Sequence, residues 1–128
     1  MKDKTAIDKT VSFLNRNIKI SPRKLRLLAQ TIKKMTPSDA LTQLRFINTK
    51  SAKVLFKALQ SLIADAQNNH HLDTKTLKFA DIMVDSGPKF KRMDKSHGSR
   101  FARGLIQKRH SRLFISLTGQ PLANGPKS

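Results

Sequence analysis

Between Gly87 and Arg112 the chain reads GPKFKRMDKSHGSRFARGLIQKRHSR, with nine Lys or Arg and one acid, Asp94. The chemistry open to such a stretch is neutralisation of a polyanion, because dense ammonium and guanidinium groups displace the counterions that phosphates otherwise hold. A segment this basic repels itself and does not collapse into a core unaided. It is not low-complexity, since Phe90, Met93, Phe101, Leu105 and Ile106 are spaced through the charge. That interleaving favours an arm that becomes ordered against an anionic partner over a loop that stays disordered. Gly87-Pro88 opens the stretch, and Gly98 and Gly104 permit turns or close backbone approach.

A second basic cluster lies at Lys19, Ser21, Arg23, Lys24 and Arg26. Ser21-Pro22 is a helix start, with Ser21 able to accept from an orphan N–H and Pro22 suited to the first helical position. Cations in a first turn oppose the helix dipole. A local rule broken in this way points to function, here phosphate binding. The competing explanation is a solvated helix end that tolerates a small unfavourable dipole term.

Other chemistries find little support. His70, His71 and Asp73 could suggest a metal or a general base, but they read more simply as a polar helix end and turn. His97 and His110 lie among cations, which disfavour their protonation; they suit phosphate donation or base stacking. The chain has no Cys, so disulfides and thiolate zinc sites are excluded. All of its acids are Asp, and they are scattered, so a paired-carboxylate site is not expected. There is no P-loop or dinucleotide fingerprint. No catalytic residue, metal or cofactor is assigned, and no small-molecule substrate is expected.

The 128 residues carry a net charge of +18, a statement about partners and not about fold. Nucleic acid leads; no stretch approaches a transmembrane length, and no membrane partner is expected. Residues 1–26 hold eight Lys or Arg against two acids, whereas residues 35–86 hold six against five. The middle is thus an ordinary folding unit, flanked by basic excess.

The elements that must position these groups follow from periodicity. Val11, Phe13, Ile18 and Ile20 mark a first strand. Leu25, Leu28, Ala29 and Ile32 form the stripe of a first helix. Thr36 or Ser38 caps a second, with Ala40, Leu41, Leu44 and Ile47 on its apolar face. Thr49 or Ser51 begins a third, running to about Asn69 on Ala52, Leu55, Leu59, Leu62, Ile63 and Ala66. Its Lys50, Lys53 and Lys57 read as a solvated face. Thr76 to Asp85 is a strand whose alternation slips near Ala80-Asp81, as a bulge would make it. Leu113 to Leu117 is the last strand. The order predicts an α+β domain: three helices on a three-stranded antiparallel sheet, with a long basic β-hairpin arm. One domain is expected over 1–128, with a globular body at about 11–86 and 113–118, the arm at about 87–112, and loose tails at 1–10 and 119–128.

Three motifs now carry a resemblance. They are Ile20-Ser21-Pro22-Arg23-Lys24-Leu25-Arg26-Leu27, Ser61 to His70 (SLIADAQNNH), and Val84-Asp85-Ser86-Gly87-Pro88 followed by Lys91-Arg92. Lys108-Arg109-His110-Ser111-Arg112-Leu113 supplies a returning strand. In type, order and spacing the chain resembles the L twenty-two family of large-subunit ribosomal proteins over about residues 11–118. It departs from that family in the returning half of the arm, where Lys95 to Ala102 lack the usual proline. It also has His71 where the family has a glycine, so either a neighbouring Asn or His71 itself must take a left-handed conformation.

The resemblance implies a structural constituent of the large ribosomal subunit that binds several rRNA domains and supports assembly. Its partners would also be neighbouring large-subunit proteins and the nascent peptide. The implied location is the large subunit, cytoplasmic in preference to organellar. The expected rRNA contacts are the helix-start set Lys19, Ser21, Arg23, Lys24 and Arg26. To these the arm adds Lys89, Lys91, Arg92, Lys95, Arg100, Arg103, Lys108, Arg109, His110 and Arg112. The resemblance further implies a hairpin tip, Arg92 to His97 (Arg92, Met93, Asp94, Lys95, Ser96, His97), lining the peptide exit tunnel, and some family members influence macrolide sensitivity there. A ladder of eight to ten residues would reach about 25–35 Å. Two other classes stay open on the residues alone. One is a free-standing RNA- or DNA-binding module, which would need stacking aromatics that the core claims first. The other is a small His-dependent hydrolase.

Overall fold

The computed structural model describes residues 9–96 and 104–122. The chain runs β1 (Lys9–Ile18), α1 (Pro22–Ile32), α2 (Pro37–Phe46), α3 (Lys50–Asn68), β2 (Lys78–Asp94) and β3 (Gly104–Gly119). The sheet is antiparallel throughout, in the order β1-β3-β2. Helices α1 and α3 lie on one face of it, and α2 packs against α3. This is the α+β architecture that the periodicity predicts.

The core forms where the helix stripes meet the inner face of the sheet. Leu25, Leu55, Leu59, Leu62 and Leu72 from the helical layer meet Leu113, Ile115 and Leu117 of the central strand, all of them fully buried. Close-packed aliphatic side chains of this kind each contribute about 1.5–3 kcal/mol through burial. The helices start where local chemistry says they should. Thr36 accepts from the Asp39 amide while its hydroxyl donates to the Asp39 carboxylate, and Thr49 accepts from the Ala52 amide. Both satisfy donors that the first helical turn leaves free. Ser38 and Ser51 therefore do not cap, and Ser51 is instead buried.

At the end of α3, Asn69 stays right-handed and His71 takes the left-handed conformation, with φ of 51°. Leu72 N then donates to Ala66 O, which closes the helix and drops Leu72 into the core.

Two register shifts shape β2. Ala80 is the extra residue between Phe79↔Leu117 and Asp81↔Ser116, the bulge that the slipped alternation predicts. Gly87-Pro88 makes the other, between Ser86↔Ser111 and Lys89↔Arg109. A Cβ on Gly87 would stand 2.9 Å from the His110 carbonyl carbon, so close approach of two backbones demands glycine there. Pro88 has no amide hydrogen to offer a ladder and suits a bulge.

Several expectations need correction. The strands are longer than the apolar runs suggest, and the described part of the arm is a ladder from Lys89↔Arg109 to Asp94↔Gly104. Those six pairs beyond the bulge span about 20 Å at the usual strand rise, and the rest of the arm lies outside the described residues. Lys9 and Thr10 are not frayed; they pair with Gly119 and Thr118. Residues 119–122, expected in a loose tail, are tied down as well. Gly119 ends β3, Pro121 bridges Leu72, and Leu122 N donates to His71 O. Residues 1–8, 97–103 and 123–128 lie outside the described residues, and with them the assignments to His97, Arg100 and Arg103.

Candidate nucleic-acid interface

Ile18, at the end of β1, and Ile20 are both buried, which turns the chain sharply into α1. Lys19 between them faces solvent, and its carbonyl accepts from Lys50 Nζ at 3.0 Å. That bond brings the N-terminal turn of α3 beside that of α1. Two adjoining grooves result. One, of about 570 Å³, is lined by Lys19, Ile20, Ser21, Lys24, Leu27, Leu28, Thr49, Lys50 and Ser51. The other, of about 640 Å³, runs from the same Lys19, Ile20, Ser21 and Lys50 to the base of the arm. There Asn17, Phe90, Arg92, Gln107, Lys108, Arg109 and His110 complete it. No acid lines either groove.

Ser21 occupies the N-cap position, but its hydroxyl makes no capping bond, contrary to expectation. Its carbonyl alone accepts from Lys24 and Leu25. The hydroxyl is left on the groove wall beside Lys19 and Lys50, in the positive end of two helix dipoles. Such an arrangement attracts anions.

The expected phosphate ligands divide. Lys19, Ser21, Lys24, Arg92, Lys108, Arg109 and His110 are gathered along the grooves. Arg23, Lys89, Lys91 and Lys95 are exposed but line neither. Arg26 is partly committed elsewhere. Its Nε donates to Val84 O at 2.9 Å and ties α1 to β2. Arg112 faces the opposite side of the sheet, among Leu14, Arg16, Met83, Asp85 and Phe114. The residue that sequence reading missed is Lys50. Its neighbours Lys53 and Lys57 made it look like part of a solvated helix face, and only its bond to Lys19, 31 residues away, reveals it.

His110 is held in place. Its Nδ1 lies within hydrogen-bond distance of Asn17 Oδ1, and its ring stands T-shaped to Phe90, centroids 5.0 Å apart. Phe90 is 43% exposed. Most phenylalanines were expected in the core; Phe13, Phe56 and Phe79 are half-buried and pack against it, whereas Phe46 is 82% exposed. Leu, Ile, Val and Ala make up its fully buried centre. An aromatic ring is therefore free at the groove.

At the far end of the arm, Arg92, Met93 and Asp94 stand in the last three described pairs of the ladder and not in the turn. Lys95 and Ser96 follow. The Ser96 hydroxyl and amide hold the Asp94 carboxyl below the usual aspartate range. His70, His71 and Asp73 take part in the helix end. His70 Nε2 lies 3.9 Å from Asp65, and Asp73 accepts from the Lys75 amide. Among the described residues no three His, Cys, Asp or Glu gather into a metal-binding group. Among the described residues no helix is long and apolar enough to cross a membrane.

Together these features define a basic α+β protein in which two helix starts and a projecting hairpin share one cationic, acid-free surface. Comparison with known sequences narrows the class. Residues 13–118 match the family described as ribosomal protein L22p/L17e, and the chain belongs to that family. The large ribosomal subunit protein uL22 of Petrotoga mobilis is 42% identical over 101 residues, 78% of this chain and 66% of that protein. Its namesake in Methylacidiphilum infernorum is 41% identical over 100 residues, 77% of this chain and 85% of the relative. That of Caldicellulosiruptor saccharolyticus is 36% identical over 114 residues, 88% and 90% of the two chains.

Proposed function

We propose that this protein is a structural constituent of the large ribosomal subunit. The observation that carries the reading is the family match across residues 13–118, a span that includes both helix starts and the whole arm. The physical features support it. A charge of +18 on a 128-residue chain needs a polyanion, and the acid-free grooves offer phosphates a continuous cationic track. The protein works by binding and not by catalysis.

In finer detail, Lys19, Ser21, Lys24 and Lys50 hold rRNA phosphates at the body, and Arg92, Lys108 and Arg109 hold them along the arm. Contacts from body and arm to different rRNA segments would fix those segments relative to each other during assembly. The arm enters the peptide exit tunnel, with Met93, Asp94, Lys95, Ser96 and His97 toward its far end and in reach of the nascent peptide. Neighbouring large-subunit proteins meet the remaining surface.

The test is co-sedimentation. The tagged protein should travel with the large subunit, not the small, through a high-salt wash. A cryo-EM map of that particle should show the arm inside the tunnel wall. Recovery only in the free protein fraction would overturn the reading. An arm on the solvent surface would overturn the tunnel assignment alone.

A further inference from the structure

We propose that the groove between the helix starts and the arm seats one unpaired nucleotide of a single-stranded RNA segment, its base against Phe90 and its phosphate among Lys19, Ser21 and Lys50. The proposal deepens the RNA-binding reading and rests on it. Four observations carry it.

The first is the ring itself. Phe90 lies on an arm strand, is spared by the core, and remains 43% exposed at the groove. An aromatic face open to solvent among cations is what a base stacks on, and such stacking tolerates any base.

The second is the support behind the ring. His110 stands T-shaped to Phe90 at 64°, and Asn17 of β1 holds the His110 ring through Nδ1. With the Asn17 oxygen accepting, Nδ1 carries the proton and the other ring nitrogen, Nε2, accepts in the neutral ring. The ring pair is thus tied across three strands before any ligand arrives: Asn17 on β1, His110 on β3, Phe90 on β2. Little order has to be created on binding.

The third is the charge. Lys19, Lys50, Arg92, Lys108 and Arg109 line the groove with the ring, with no carboxylate among the lining residues. The Ser21 hydroxyl, unused as a cap, adds a neutral donor beside two of those ammonium groups.

The fourth is shape. A groove of about 640 Å³ falls in the range of pockets that enclose small ligands. A duplex cannot use it in this way, because its bases are stacked inside and only phosphates and groove edges reach the surface. An unstacked nucleotide can place base and phosphate at once. Gln107 on the rim carries both an amide donor and a carbonyl acceptor for a base edge.

The experiment uses the full chain and two probes: a short oligouridylate carrying one central 2-aminopurine, and an RNA duplex of equal length without it. At one fixed salt concentration the single strand should bind more tightly, and the 2-aminopurine fluorescence should be quenched by stacking. Phe90→Leu should weaken single-strand binding about fivefold to a hundredfold and abolish the quench. Its salt slope should stay unchanged, since no phosphate contact is lost. Phe90→Tyr should retain both affinity and quench. Asn17→Ala, which frees His110, should weaken binding by less than Phe90→Leu does. Circular dichroism checks that the variants stay folded, as expected for side chains outside the core. If Phe90→Leu leaves affinity and quench unchanged while RNA still binds, the nucleotide seat is wrong and the broader reading survives. If neither probe binds, the nucleotide seat is wrong, and the broader reading stands or falls on co-sedimentation with the large subunit.

Discussion

Single residues in this protein are chosen by the backbone geometry they permit or the element they fasten. Gly87 has ordinary negative-side or extended dihedrals, so its requirement is space and not a left-handed turn. The nearest atoms to a Cβ there are His110 C, His110 O and Ser111 N, at 2.9 to 3.1 Å, and all are backbone. Gly87→Ala must push β2 off β3 where the arm leaves the body. We expect a loss of about 1–3 kcal/mol in urea denaturation, with the arm amides losing hydrogen-exchange protection before the core amides do. His71 presents the opposite case. A β-carbon in the left-handed region costs about 1–2 kcal/mol, so His71→Gly should raise stability by about 1 kcal/mol, less the extra freedom glycine gives the unfolded chain. Asp81 fastens α1 to the first bulge. Lys33 Nζ donates to its carboxylate at 2.8 Å, and the Ile82 amide donates to the same oxygen. The Lys33 hydrogen bond outweighs the opposing desolvation and, with smaller help from the Ile82 amide and the Lys33 charge, lowers the Asp81 pKa. A carboxyl with a depressed folded pKa adds stability above its unfolded pKa and loses it as the pH falls through the folded value. Both partners are substantially exposed, so the effect is small and screened by salt. Thermal melts of the wild type and Asp81→Asn should differ at neutral pH and converge on acidification below the ordinary aspartate range. A difference that persists in strong acid would assign the role of Asp81 to packing.

At the scale of elements, the helix starts do double service: they begin the helices that cover the sheet, and they aim cations into one groove. Three ammonium groups, Lys19, Lys24 and Lys50, line the body side of that groove. Replacing all three with Gln should flatten the dependence of log affinity on log salt by about two units for single-stranded RNA. Arg26 is better left intact in that variant, because its bond to Val84 O would confuse lost stability with lost binding. A slope unchanged by the triple substitution would remove this groove from the interface. Much of this element order was legible in the sequence. The stripe of α3, the Pro-led starts of α1 and α2, and the bulge at Ala80 all announce themselves through local periodicity or local chemistry. The groove was only half legible. Lys24 stands out because cations in a first turn contradict the dipole, and Lys19 as part of the same basic cluster, but Lys50 does not. Its bond to Lys19 O depends on how α3 crosses the end of β1, which no local pattern encodes. The same holds for Thr10 and Pro121. Their polar, turn-like neighbourhoods look loose, yet long-range partners on β3 and at Leu72 order them. Phe90 was legible as an apolar residue set among the arm cations, but its place at the groove depends on the pairing of β2 with β3 and on Asn17 and His110 beside it.

For the molecule as a whole, the decisive feature is that the arm shares a strand pair with the body but not its core. Leu113 and Val84 are the last buried apolar pair on the way out, and beyond them Phe90, Met93, Leu105 and Ile106 are all exposed. Folding energy therefore resides in the body, while the arm is held by ladder hydrogen bonds and a few cross-strand contacts. Its own charge opposes compaction. Such a division predicts that the arm can be shortened without unfolding the rest. Arg92 and Ile106 face each other in the ladder, so an Asn-Gly turn placed between them would replace residues 93–105 and preserve the register. The shortened protein should melt cooperatively near the wild-type temperature, because every core residue and both bulges remain. It should also keep the groove residues Lys19, Ser21, Lys50 and Phe90, and with them its binding to single-stranded RNA. What it should lose is whatever the far end of the arm does in the particle. On the ribosomal reading, subunits carrying it should assemble and sediment normally, but differ from wild type in tunnel-antibiotic sensitivity or in the stalling of arrest peptides. A shortened chain that fails to fold would show that the arm supports the body after all. One that folds and assembles into subunits with unaltered tunnel behaviour would place the arm tip away from the nascent chain.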